Sequence, residues 1–160
     1  MRVLDIIDGT SVDGPGFRTA IYFAGCRHCC PGCHNPSSWD MHGGKYMSVD
    51  EIMDRVITND FNVTFSGGDP LYQAKDIIPL ARKIHLLGKT IWCYTGFKYE
   101  HIVTNPHVAA LFDYVDVLVD GEFIQSQRDL SLIFRGSSNQ RIIDIRRSTP
   151  DNIILWESDF

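Results

Sequence analysis

The chain has 160 residues, 44% hydrophobic and 22% charged, with a net charge of −5; this is the size and balance of one globular domain rather than two. Folding a chain of this mass removes roughly 18,000 Å² from water, so burial alone can hold it without disulfide staples. No apolar run is long enough to span a bilayer, and a net negative charge without a basic block excludes an electrostatic grip on nucleic-acid phosphates.

At the amino end, residues 1–8 lack an apolar signal-peptide region, so a cytoplasmic address is expected; the same stretch reads as a strand over 2–7. Residues 19–23 predict a second strand, followed directly by a cysteine-rich loop. Ser48 with Glu51 three residues on is a capping-box signature, and Ile52, Met53, Val56 and Ile57 then recur at helical spacing to about Asn59. A strand over 62–65 precedes a helix over 73–87 that carries Ile77, Ile78, Ala81, Ile84 and Leu87 on one stripe, with Gly88 as its stop. Further strands are expected at 90–94, 115–119 and 141–145, with a short helix over 106–112. Within the strand at 90–94, Cys93 is expected to be a buried, inert thiol, with Trp92 and Tyr94 on the opposite face. A last apolar run, 153–156, lies in a carboxyl-terminal appendage of about 148–160 and is expected to pack back on the domain. This alternation implies βαβ units with right-handed crossovers, hence an α/β fold with a mostly parallel sheet. A full eight-fold barrel needs at least about 200 residues, so a barrel here must be open and partial.

Four of the five cysteines, Cys26, Cys29, Cys30 and Cys33, fall within eight residues of each other. A secreted disulfide framework spreads its cysteines along the chain, so this crowding points to metal. The loop follows a strand, where α/β folds place their sites. All four thiols could hold one ion, as in a zinc site, or three of them, spaced Cys26-x3-Cys30-x2-Cys33, could hold an iron-sulfur cluster; a redox pair is the third reading. Adjacent Cys29 and Cys30 do not readily both reach one tetrahedral ion, which favours the cluster. The six histidines have no metal-type spacing, and His28 reads as an ordinary polar loop residue.

Ser66-Gly67-Gly68-Asp69-Pro70-Leu71 follows the strand at 62–65. Paired glycines let backbone groups face a ligand with no side chain between, so a side chain at Gly68 is expected to obstruct a ligand here rather than the metal; on its own the segment is also an ordinary turn. Arg18 offers charge compensation near an anionic site, or is a solvated arginine. Asp120 ends the strand at 115–119 and reads equally as a cap. The stretch 135–141 combines Gly, Ser and Asn with flanking cations, suiting an anion, a partner or a polar loop.

The spacing of Cys26, Cys30 and Cys33 resembles the signature of the radical S-adenosylmethionine superfamily. Together with Asp13-Gly14-Pro15-Gly16-Phe17-Arg18, the Ser66–Leu71 segment, Arg135-Gly136-Ser137-Ser138-Asn139-Gln140-Arg141, Cys33-His34-Asn35-Pro36, Tyr94-Thr95-Gly96-Phe97 and Val119-Asp120-Gly121-Glu122-Phe123, it resembles, over about 13–143, the activases of anaerobic ribonucleoside-triphosphate reductases. The resemblance implies one [4Fe-4S] cluster on Cys26, Cys30 and Cys33, with an open iron that chelates S-adenosyl-L-methionine. It also implies contacts to that cofactor from Gly32, Cys33 and His34 and, across the site, from Gly67, Gly68 and Asp69. Asp69 stands where the superfamily often has the longer glutamate. By the same resemblance Asp120 helps to hold a cation near the cofactor carboxylate.

The implied reaction is reductive cleavage of S-adenosylmethionine to a 5′-deoxyadenosyl radical that generates a glycyl radical on the reductase, which is the protein substrate. No side chain is assigned a catalytic acid or base role. Only Cys29 and Cys93 remain outside the three-thiol set, too few for an auxiliary cluster, so a flavodoxin-like protein is expected as electron donor. The rival readings are an activase of another glycyl-radical enzyme such as pyruvate formate-lyase, a short small-molecule radical enzyme, and a non-catalytic iron-sulfur or zinc module that binds a partner.

Overall fold

A computed structural model describes residues 1–157 of the chain. Seven strands, β1 (Arg2–Thr10), β2 (Arg18–Phe23), β3 (Lys45–Tyr46), β4 (Asn62–Gly67), β5 (Ile91–Tyr94), β6 (Val117–Asp120) and β7 (Arg141–Asp144), form one sheet in the order β3-β1-β2-β4-β5-β6-β7. The central four, β2, β4, β5 and β6, run parallel, while β1, β3 and β7 are antiparallel to their neighbours. The fold is therefore mixed α/β, with the parallel strands at the centre of the sheet. β3 and β7 are the two ends of the strand order.

Four helices, α1 (Val49–Asn59), α2 (Ala74–Leu86), α3 (Tyr99–Ile102) and α4 (Pro106–Phe112), connect the parallel strands. The capping box forms as expected: the Ser48 hydroxyl accepts from the Glu51 amide at 3.2 Å and the Glu51 carboxylate from the Ser48 amide at 2.7 Å. The apolar stripe of α2 is Ile77, Leu80, Ala81 and Ile84, all fully buried, while Ile57 of α1 and Leu87 beyond α2 are exposed. Periodicity alone placed Leu87 on the stripe and missed Leu80: Leu80 lies one turn on from Ile77 and completes the stripe, whereas Leu87 is the cap beyond the helix end.

Sheet residues alternate between two environments. Ile21, Phe23, Val63, Phe65, Ile91, Cys93, Leu118 and Ile143 pack with the helices in the main core. Trp92, Val117 and Val119 face the other way and pack against Phe134, Ile142 and Trp156. Trp92 meets Trp156 edge-on at 5.0 Å and Phe134 at 5.4 Å. Within the run 153–156, Trp156 covers the helix-free face, Ile153 packs against the main core and Leu155 is exposed. The run is not a regular strand: it touches β7 through one bridge, Ile143 with Leu155, flanked by Asp144 N–H to Ile154 O and Trp156 N–H to Ile142 O, both 2.9 Å. The end of the appendage, 158–160, lies outside the described residues.

Arg18 is neither at the site edge nor solvated. It is 1% exposed at the amino end of β2, donating to Thr64 Oγ1 and Val63 O at 2.7 Å and lying 5.7 Å from the Trp92 ring. The length of β2, about 17 Å at 3.3 Å per residue, separates it from the end that carries the cysteine loop. Burial lowers its guanidinium to about 10, so it stays charged. Among the described residues no helix is long and apolar enough to cross a membrane.

Candidate iron-sulfur and cofactor site

In a parallel sheet all carboxyl ends lie on one edge, so the loops that follow β2, β4, β5 and β6 converge. They enclose an open cavity of about 480 Å³. Cys26, Cys30, Cys33 and His34 line one wall; Ser66, Gly67 and Gly68 line another; Thr95, Gly96 and Phe123 come from the remaining strand ends. Of the residues that the resemblance assigns to the cofactor, Gly32 and Asp69 do not line the cavity. Gly32 lies back against the Gln125 side chain.

The first turn of the cysteine loop is tied to the glycine turn by backbone hydrogen bonds. Gly68 N–H donates to Phe23 O and Asp69 N–H to Gly25 O, each at 2.8 Å, extending the β2–β4 pairing past the strand ends. This contact explains the glycines. A Cβ on Gly67 would overlap the backbone of Phe23, and one on Gly68 would stand 2.5 Å from Gly25 O and 2.7 Å from Ser38 O. A side chain at Gly68 therefore meets the cysteine-loop backbone before any ligand, contrary to the expectation that it would obstruct the ligand alone. Gly68→Val should lower stability by about 1–3 kcal/mol and reduce iron content and cofactor binding together, as measured by urea denaturation and by iron assay after reconstitution.

Cys29 is exposed, with a left-handed φ of 51°, and faces away from the cavity that its three neighbours line. Burial pushes the Cys26 thiol up to about 11, opposed by a backbone hydrogen bond from His28. The Cys30 thiol is also raised by burial, opposed by the backbone of Phe123. Such amide donors stabilise sulfur once it is a thiolate, and hydrogen bonds to sulfur are among the features that tune an iron-sulfur cluster. Among the described residues no three His, Cys, Asp or Glu side chains converge as the ligands of one ion would. A cluster, whose separate irons each take their own thiolate, needs no such convergence. Three thiols bordering one roomy cavity fit that donor set.

Asp69 is completely buried. Its Oδ1 accepts from the Leu71 amide at 3.0 Å, and its Oδ2 accepts from Thr95 Oγ1 at 2.8 Å, the Gly96 amide at 3.0 Å and His28 Nε2 at 2.9 Å. The carboxylate ties three strand-end loops together. Asp120 likewise faces away from the cavity: it accepts from the Tyr99 amide at 2.9 Å, capping α3, and from Arg141 Nε at 2.9 Å. Arg141 also reaches Glu100 at 2.7 Å, and these carboxylates hold its guanidinium firmly charged. Cys93 is fully buried in the core, where burial pushes its thiol well up.

Sequence reasoning passed over His28, whose side chain is 8% exposed and held between two carboxylates. It also missed the pair lining the cavity near the amino-terminal loop, where the Tyr22 hydroxyl donates to Asp13 at 2.8 Å. Burial and that carboxylate raise the tyrosine well above its ordinary value. The His28 arrangement has no local signal, because its partners are 41 and 94 residues away, whereas Tyr22 and Asp13 are nine residues apart and meet only through the turn before β2.

Comparison with known proteins agrees with this geometry. The family described as "4Fe-4S single cluster domain" matches residues 12–143. The anaerobic ribonucleoside-triphosphate reductase-activating proteins of Salmonella typhimurium and Escherichia coli K12 are each 40% identical, over 146 and 147 residues, covering 84% of this chain and 93% of theirs. That of enterobacteria phage T4 is 32% identical over 139 residues, covering 82% of this chain and 86% of its own. With the thiol wall and glycine turn lying inside the matched region, this chain belongs to the family of anaerobic ribonucleoside-triphosphate reductase-activating proteins, built on a 4Fe-4S single cluster domain.

Proposed function

We propose that the chain is a radical S-adenosylmethionine activase that installs a glycyl radical on an anaerobic ribonucleoside-triphosphate reductase. The observation that carries this reading is the single cavity with three thiols on one wall and a side-chain-free glycine turn on another. Cys26, Cys30 and Cys33 hold the cluster, and Cys29 does not. When bound, the cluster supplies the electron that cleaves S-adenosylmethionine to methionine and a 5′-deoxyadenosyl radical able to take a hydrogen atom from a glycine Cα of the reductase.

The chain's own residues bind, orient and exclude water. The backbone at Gly67 and Gly68, with Cys33 and His34 opposite, receives the cofactor; Gly32 and Asp69 shape those two segments from behind. Phe123, Leu132 and Phe134, all half-buried, give the cavity an apolar lining, which limits water near a reactive intermediate. The His34 ring, set edge-on to Phe123 at 5.2 Å, closes part of the same wall.

The helices lie on one face of the sheet, and β3 and β7 do not pair with each other; both support an open, partial β/α barrel, whose inner face is the cavity side. One radical S-adenosylmethionine domain spans the chain, with 148–160 as its appendage. A flavodoxin-like donor delivers the electron, because the remaining thiols, exposed Cys29 and core Cys93, lie apart and cannot build a second redox centre. Free thiols and a reduced cluster suit the cytoplasm.

The test is anaerobic incubation of the reduced, reconstituted protein with S-adenosylmethionine and the reductase. The expected products are 5′-deoxyadenosine and a glycyl radical on the reductase by electron paramagnetic resonance. Deoxyadenosine without that signal would favour a small-molecule radical enzyme; neither product would favour a binding module.

A further inference from the structure

We propose that His28 is a positioning residue: it latches the cluster-binding loop to the glycine turn and to the loop after β6, and so sets how the cysteine wall stands against the cofactor wall. The inference rests on the reading of the cavity as a cluster and S-adenosylmethionine site.

His28 lies between Cys26 and Cys30, and its ring turns towards the strand ends. Its Nε2 meets Asp69 Oδ2 at 2.9 Å and its Nδ1 meets Glu122 Oε1 at 3.2 Å. Carboxylates accept and do not donate, so both ring nitrogens serve as donors. The two contacts differ in weight. Glu122 is 56% exposed at its side chain and water competes for it, whereas Asp69 is 1% exposed and has no such competitor. Asp69 is the anchor, and it already belongs to the glycine turn and to the Thr95–Gly96 loop through its other hydrogen bonds.

Packing fixes the ring as well. It lies 4.5 Å from Phe97 in edge-to-face geometry and 6.0 Å from Tyr72. It also fills the space over Gly96, where a Cβ would stand 2.6 Å from the imidazole. One side chain in the cluster loop therefore touches the loops that follow β4, β5 and β6. A loop with two glycines and two prolines has few internal hydrogen bonds, among them Cys33 N–H to Cys30 O at 3.1 Å, so its position depends on such external ties. Residues that orient metal ligands in this way change metal-site properties by about 10–100-fold when removed.

The first arm uses the protein without its cluster. His28→Ala should raise the rate of iodoacetamide labelling at Cys26 and Cys30, read by mass spectrometry, by about tenfold, while core Cys93 stays protected. His28→Gln, which keeps an amide donor for Asp69, should restore rates close to wild type. The second arm uses reconstituted protein: His28→Ala should keep its iron, bind S-adenosylmethionine about tenfold more weakly, and alter the change that the cofactor causes in the spectrum of the reduced cluster.

Unchanged labelling in His28→Ala overturns the proposal. So does a parallel rise at Cys93, which would mark general loosening, and so does loosened labelling with unchanged cofactor affinity. If wild-type protein binds its cluster but not S-adenosylmethionine, the functional reading fails while the first arm still decides whether the latch exists.

Discussion

Cys30→Ala should reduce the iron and sulfide content of the reconstituted protein to near zero and abolish its charge-transfer absorption, while Cys29→Ala should keep both. The two residues are neighbours in sequence and opposites in space. Cys30 lines the cavity with the Phe123 backbone against its sulfur, whereas Cys29 is exposed at a left-handed φ of 51°. On the proposed three-thiol assignment, losing one ligand leaves two thiolates, and a cubane held by two has two unprotected irons. Cys26→Ala and Cys33→Ala should match Cys30→Ala. Equal loss of iron in Cys29→Ala would overturn the three-thiol assignment and revive a four-thiol site.

Asp69→Ala should cost about 3–5 kcal/mol of folding stability, the range for removing one partner from a buried charged pair. Against a total stability of about 5–15 kcal/mol for an ordinary domain, this is a large fraction. The carboxylate accepts from Leu71, Thr95, Gly96 and His28, and alanine would leave all four donors without their acceptor. Urea denaturation of the cluster-free protein should show a lower midpoint with an unchanged slope. Asp69→Asn, which keeps one acceptor oxygen, should lose less. A midpoint within experimental error of wild type for Asp69→Ala would mean that the buried carboxylate does not hold the strand-end loops together.

The two predictions separate the roles that proximity in sequence blurs. Gly67, Gly68 and Asp69 are consecutive, yet the glycines face the cavity and the aspartate faces away from it into the loop junction. A shorter acid than glutamate suits that position, since Asp69 reaches the adjacent amides of its own 3₁₀ turn and of Thr95–Gly96. Arg18 shows the same limit: its motif is local, but whether it ends at the site edge or under Trp92 depends on which end of β2 the cysteine loop leaves.

Features whose cause lies within a few residues were legible in the sequence alone. The capping box at Ser48 and Glu51, the helix from Pro106 to Phe112 and the strand that leads into the cysteine loop all depend on local periodicity or capping. The minor elements β3 and α3 were not legible, being two and four residues long and held by β1 pairing and the Asp120 cap respectively. Only the tertiary structure decided that Cys29 turns outward, that Gly68 abuts the cysteine-loop backbone, and that His28 bridges Asp69 and Glu122. The reason is physical: each depends on loops from different strands meeting at one edge of the sheet, and no spacing within any one segment encodes that approach.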